Sequence, residues 1–225
     1  VADCFRTDAV LAGEKASELM PASLGDIRIG LVQGMVLENQ DSIVGPAFQR
    51  ALSKLSSAKR SDIALDALDI MHGVNERGGI APPEAYAINR TLLAEDGDGV
   101  DPFVRARIMR AAPMIAADYI RSMRERLDGI AKMDAVFDRV DVLAMPTTPI
   151  VAPTMEEVST PDGFASRNAL LLRNTAIANF FDLCAISLPI NLGNALPCGL
   201  MLFARHGNDG RLFQIAAAVE KALKV

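Results

Sequence analysis

The residue types and spacings that bear most directly on chemistry lie in DVLAMPTTP, positions 141–149, where two threonines sit between two prolines, Pro146-Thr147-Thr148-Pro149. Proline fixes φ and removes a backbone donor, so an apolar run ending this way makes a rigid turn that carries two hydroxyls. Such a turn can wall a small-molecule pocket, and Thr147, Thr148 and Pro149 are the candidate substrate-binding residues. The same hydroxyls can instead bond the local backbone, as Ser and Thr do in turns. In NTAIANFFDLCAISLP, at 174–189, Asn174 and Asn179 are candidates for positioning loops through side-chain hydrogen bonds.

A nucleophile needs a base within reach, and the chain offers few pairs. Its two histidines are His72 and His206. His206 stands near Cys198 and Asp209 in sequence, which allows a Cys-His pair or, alternatively, a polar loop leading into a capped helix. His72, between Met71 and Gly73, reads as a residue at a helix end. The lysines, Lys15, Lys54, Lys59, Lys132, Lys221 and Lys224, all lie in charged or polar helical contexts. Ser53 with Lys54, and Ser17 with Lys15, would be helix-surface neighbours that do not face each other. Ser187 is a buried-type hydroxyl without a visible base. No catalytic residue is therefore assigned, and no GxSxG, P-loop, GxGxxG or HExxH motif occurs.

Cys4, Cys184 and Cys198 are far apart and form no CxxC pair. That spacing argues against a metal site or a disulfide framework and for a reducing, cytoplasmic compartment; no cofactor is expected. A net charge of −5 disfavours nucleic acid and acidic membrane surfaces as partners. The arginines at 105, 107, 110, 121, 124 and 126 are interleaved with acids and read as a solvated helix face. Half of the residues are hydrophobic, yet no run reaches the roughly 18 apolar residues of a membrane span. The chain starts Val1-Ala2-Asp3 with no charged leader, so a piece of a larger fold is the expectation.

The elements that must position these residues alternate. A helix closes near Gly13, and Ile27, Ile29 and Leu31 then alternate with polar or small residues as a strand. Ile43, Ala47, Ala51, Leu52 and Leu55 share one helix face, with Ser42 as cap and Pro46 in the first turn. A short strand, or alternatively a helical segment, is expected at 63–65, a helix at 84–93 and a turn at 95–101. A helical pattern from Pro102, interrupted at Pro113, runs into a buried strand at 142–145. A helix near 169–181, strands at 185–188 and 200–204, and a final helix capped by Asn208 or Asp209 complete the chain. Strands alternating with helices imply an α/β fold with a mixed sheet flanked by helices.

These stretches, in this order, resemble the C-terminal part of the amidase-signature family. Positions 24–32 are similar to its Gly-Leu-Arg-Ile-Gly strand, GIAPPEAY at 79–86 and AADY at 116–119 to later stretches, and DVLAMPTTP to its most specific strand and loop. NALPCGLML at 194–202 departs from the family pattern at Ala195 and Met201. The resemblance implies that residues 1–225 are a single partial domain and that the full-length parent hydrolyses a small-molecule carboxamide through a seryl acyl-enzyme. It implies a serine, a second serine in a cis peptide and a lysine, all on a Gly/Ser-rich segment that this sequence does not contain. Its expected partner is that N-terminal half or a second copy in a homodimer. The rival readings are a non-catalytic scaffold of the same ancestry and a component of an amidotransferase.

Overall fold

Val142–Pro146 is buried at every position, as a strand covered on both faces must be. In the computed structural model it is the central strand, β3, of a five-stranded sheet. The structure describes residues 1–15, 17–95, 99–191 and 193–224. Around β3 lie β1 (Arg28–Val32), β2 (Lys59–Ile63), β4 (Cys184–Pro189) and β5 (Gly199–Ala204), in the order β2-β1-β3-β5-β4. The strands β2, β1 and β3 run parallel, while β5 is antiparallel to both β3 and β4. The expected mixed sheet is thus present.

Alternation along β3 divides the core in two. Val142 and Ala144 pack with α2 (Val44–Lys54) and α9 (Asp209–Lys224), through residues such as Phe48, Leu52, Ile215 and Val219. Leu143 and Met145 face the other way, onto α3 (Leu68–Glu76), α6 (Ala116–Val136) and α8 (Thr175–Phe180), where Met71, Met133, Ile177 and Phe181 close the second cluster. Each large apolar side chain taken out of water contributes about 1.5–3 kcal/mol. Exposed ion pairs contribute at most about 1 kcal/mol each, so the double-sided core carries the fold. Gly30 in β1 fits that packing closely: a Cβ there would lie 2.8 Å from Ile63 Cγ1 and 2.9 Å from Leu143 Cδ2.

Several boundaries differ from the sequence expectation. The N-cap position of α2 is Ile43 rather than Ser42, and the side-chain bonds at the helix entry come from Asp41, whose Oδ1 accepts from the N–H groups of Ile43 and Val44 at 2.9 and 2.8 Å. The strand expected at 63–65 lies earlier, as β2, and pairs with β1 from Lys59 onward. Its exposed, charged sequence suits an edge strand and hides its type from apolar periodicity. Pro82 and Pro83 fall inside the first turn of α4 (Ala81–Glu95), where a missing N–H costs nothing. The helix expected at 169–181 is two, α7 (Pro161–Arg173) and α8, meeting at Asn174. Thr160 caps α7 by accepting from Gly163 N at 3.1 Å. The pattern interrupted at Pro113 resolves into α5 (Pro102–Met109) and α6. The first helix is α1 (Ala2–Leu11), closed by Gly13 at φ +73°. Of the expected turn at 95–101, Glu95 ends α4, Asp101 caps α5, and residues 96–98 lie outside the described residues. Among those described, no helix is long and apolar enough to cross a membrane.

Candidate substrate-binding site

The turn expected from the two prolines is fixed at each residue. Thr147 N donates to Gly199 O at 2.8 Å, joining the end of β3 to the start of β5. The Thr147 hydroxyl meets the Ser187 hydroxyl of β4 at 2.5 Å. A Cβ on Gly199 would collide with both oxygens, so glycine is required by close approach. Thr148 Oγ1 donates to Ile150 O at 2.8 Å, a local turn bond, and Pro149 O accepts from Asp41 N at 3.0 Å. Thr147, Thr148 and Pro149 therefore stand together at one end of the sheet, where the C-terminal ends of β3 and β4 meet the N-terminal end of β5.

Two side chains outside the turn hold it. Asp41 Oδ2 accepts from Val151 N at 2.7 Å while Oδ1 holds the entry of α2. Partial burial pushes the Asp41 carboxyl up, but bonds from the Val44, Val151 and Ile43 N–H groups outweigh it and hold the group below the ordinary carboxylate range. Asn174 is fully buried; its Nδ2 donates to Pro146 O at 2.8 Å and Val36 O at 3.1 Å, and its Oδ1 accepts from Arg173 Nε at 3.1 Å. Its positioning role is as the sequence suggests. Asp41 is hidden in the sequence because Asp-Ser before a helix offers two equally good caps.

Beside Asn174 opens a cleft of about 470 Å³ between α3, α4, α6 and the α7–α8 junction. Met71, Ile80, Met123, Leu172 and Phe180 give it an apolar body, and Asn75, Glu84, Arg126, Thr175 and Asn179 are its polar members. Arg126 pairs with the Asp182 carboxylate, and the same guanidinium group lies 3.4 Å from Asn179 O. One arginine of the expected solvated face thus belongs to a cleft wall. Glu84 Oε1 accepts from Tyr119 OH at 2.8 Å, and that bond, with burial and the Glu84 charge behind it, raises the phenol pKa. GIAPPEAY and AADY carry these two residues, but a separation of 35 positions gives no sign that they meet.

The remaining candidates do not assemble. Cys198 and His206 stand beyond opposite ends of the six-residue β5, roughly 20 Å apart at strand rise. His206 Nδ1 donates to Asp182 O at 2.9 Å, and His72 Nε2 lies 2.9 Å from Met35 Sδ. Burial, with the Asp41 charge, pushes the Cys198 thiol up, and burial with Asp209 pushes Cys184 up to about 11. Lys54 Nζ donates to Leu223 O at 2.7 Å, and among the described residues no serine hydroxyl bonds a lysine. No group of three or more His, Cys, Asp or Glu side chains that could hold a metal ion is found among those residues.

Comparison with known proteins decides the ancestry. The family model for amidases matches residues 5–213. The chain belongs to the amidase family. It is 29% identical over 207 residues to 2-amino-5-chloromuconic acid deaminase of Comamonas testosteroni, covering 89% of this chain and 44% of that protein. It is 28% identical over 225 residues to a glutamyl-tRNA(Gln) amidotransferase subunit of Sulfolobus acidocaldarius, covering 89% of this chain and 46% of that protein. Kluyveromyces lactis allophanate hydrolase superposes with a TM-score of 0.76 at 22% identity, over 93% of this chain and 34% of its own. A solved amidase does so with a TM-score of 0.75 at 21% identity, over 99% and 50%. These structures share the fold, and the chain spans less than half the length of the two curated relatives named.

Proposed function

We propose that this chain forms the sheet and pocket wall of an amide hydrolase whose nucleophilic serine, cis-peptide serine and lysine lie on a Gly/Ser-rich segment of a longer parent. The observation that carries the reading is the family match over 5–213, which includes the Thr147–Pro149 turn. Support comes also from how firmly that turn is held, by Asn174 from one side and Asp41 from the other. In the joined protein the serine attacks the carboxamide carbonyl, the amine leaves with a proton, and water releases the acid from the acyl-enzyme. Backbone N–H groups stabilise the oxyanion. Thr147, Thr148 and Pro149 line the substrate's side of that centre. Three free cysteines fit a reducing, cytoplasmic setting.

Joining the chain to the catalytic segment of its parent and measuring ammonia or amine release across a panel of carboxamides tests this reading. The isolated 225 residues are expected to release none. Turnover by the isolated chain, abolished by a substitution within it, would overturn the assignment.

One observation favours a second reading, a non-catalytic interaction protein. Val10, Leu11 and Ile88 are 73%, 83% and 82% exposed, and β4 leaves an uncharged edge at the end of the sheet. That reading expects a dimer by light scattering; a monomer at high concentration argues against it. An amidotransferase role expects co-elution with the other components of that enzyme.

A further inference from the structure

The cleft beside Asn174 is chemically asymmetric. Its body is apolar, yet it contains one cation and one anion with different partners. Arg126 is engaged from outside the cleft by the Asp182 carboxylate, so its charge is neutralised where it stands. Glu84 is held only by the Tyr119 hydroxyl on Oε1, a neutral donor, and among the described residues no cation pairs with it. A phenol that donates to this carboxylate fixes its orientation without cancelling its charge. The Glu84 carboxylate, exposed at the rim of the apolar cleft, therefore keeps a negative charge that no ion pair among the described residues cancels, and a cation meeting it there gains up to about 1 kcal/mol, or about fivefold in affinity.

We propose that the cleft binds an apolar small molecule through a protonated amine at its end, with Glu84 as the counter-charge and Met71, Met123 and Phe180 around the hydrocarbon. The volume of about 470 Å³ falls within the range of small-ligand pockets. A carboxylate ligand would have to displace Asp182 from Arg126 and approach Glu84, two penalties that an ammonium avoids. Thr175 of the cleft follows Asn174, whose amide holds Pro146 O, so the cleft and the Thr147 turn share one support. If the hydrolase reading holds, the ammonium belongs to the substrate: the parent's amides carry an amino group remote from the scissile bond. That last step rests on the proposed function; the binding claim does not.

Two cleft-lining methionines make the test local. The protein is labelled with ¹³C at its methionine methyls, and Met71 and Met123 are assigned with Met71→Leu and Met123→Leu. It is then titrated with hexylammonium, hexanol and hexanoate. Hexylammonium is expected to shift both methyls with an affinity about threefold to fivefold above the other two, the gain of an exposed charge pair over a neutral contact. Glu84→Gln should reduce that preference to within about twofold, whereas Tyr119→Phe, which keeps the charge, should retain it. Added salt should weaken hexylammonium and leave hexanol unchanged, a measurement on the unaltered protein that stands if Glu84→Gln does not fold. Equal affinity for hexanol, tighter binding of hexanoate, or shifts confined to other methionines such as the exposed Met155 would each overturn the proposal. An inactive parent with selective ammonium binding would reject only the hydrolase reading. An active parent without that selectivity would reject only the cleft assignment.

Discussion

Replacing Asn174 by alanine removes a side chain that ties the α7–α8 junction to the end of β3. Its Nδ2 serves two carbonyls, and these fare differently. Val36 O keeps a donor, because the Arg173 guanidinium also reaches it at 3.2 Å. Pro146 O loses its bond at 2.8 Å in a site closed to water, and a buried acceptor left unpaired costs about 1–3 kcal/mol. The emptied amide volume, if the surroundings do not collapse, adds about 1 kcal/mol. The expected loss is therefore about 2–4 kcal/mol, read as a lower urea midpoint with unchanged slope by far-ultraviolet circular dichroism. Asn174→Asp, which sets an acceptor against both carbonyls, should be at least as damaging near neutral pH. Thr175→Ala, whose hydroxyl bonds Leu172 O at the surface, is the control and should change little. An Asn174→Ala protein within about 0.5 kcal/mol of the parent would show that the amide does not hold the turn.

Gly199→Ala should destabilise by about 1–3 kcal/mol through overpacking, and Ser187→Ala in the same chain should recover part of it in thermal melts. Asp41→Asn should flatten the acid limb of a stability–pH curve: the folded-state pKa is lowered, so the contribution is complete above the unfolded value near pH 4 and is lost as pH falls through the folded value. In native protein at pH 7.5, iodoacetamide followed by mass spectrometry should label exposed Cys4 well before Cys184, whose thiol is pushed up to about 11.

What is legible in the sequence follows from where physics is local. The buried strand at 142–146 announces itself because a doubly covered strand is apolar throughout, and the Pro-Thr-Thr-Pro turn because proline acts on its own backbone. Strand β2 escapes for the opposite reason: KRSDI is a strand only because β1 lies beside it. At Asn174 the apolar run of 169–172 continues in sequence into Ile177, Ala178 and Phe181 and so hides a helix break, although only the α8 side packs into the core. The cleft is invisible in the sequence because its polar members, Glu84, Arg126 and Asn179, come from helices far apart in the chain. Arg126 reads there as one charge in a cluster, and only the fold separates it from its neighbours.

The central place of β3 bears on how the protein is made. Its partner β1 emerges from the ribosome first, but the strand that completes the sheet between β1 and β5 follows only after another 113 residues, the separation across which Arg28 and Asp141 clasp at 2.7 Å. Until then β1 has only the charged edge strand β2 beside it, and the apolar faces of α2 and α3 have no finished sheet to rest on. Closing so long a loop is slow, and a nascent chain in that state exposes surface prone to aggregate. The order of synthesis thus runs against the order of assembly, and yield in a cell should respond to chaperones and growth temperature through this interval.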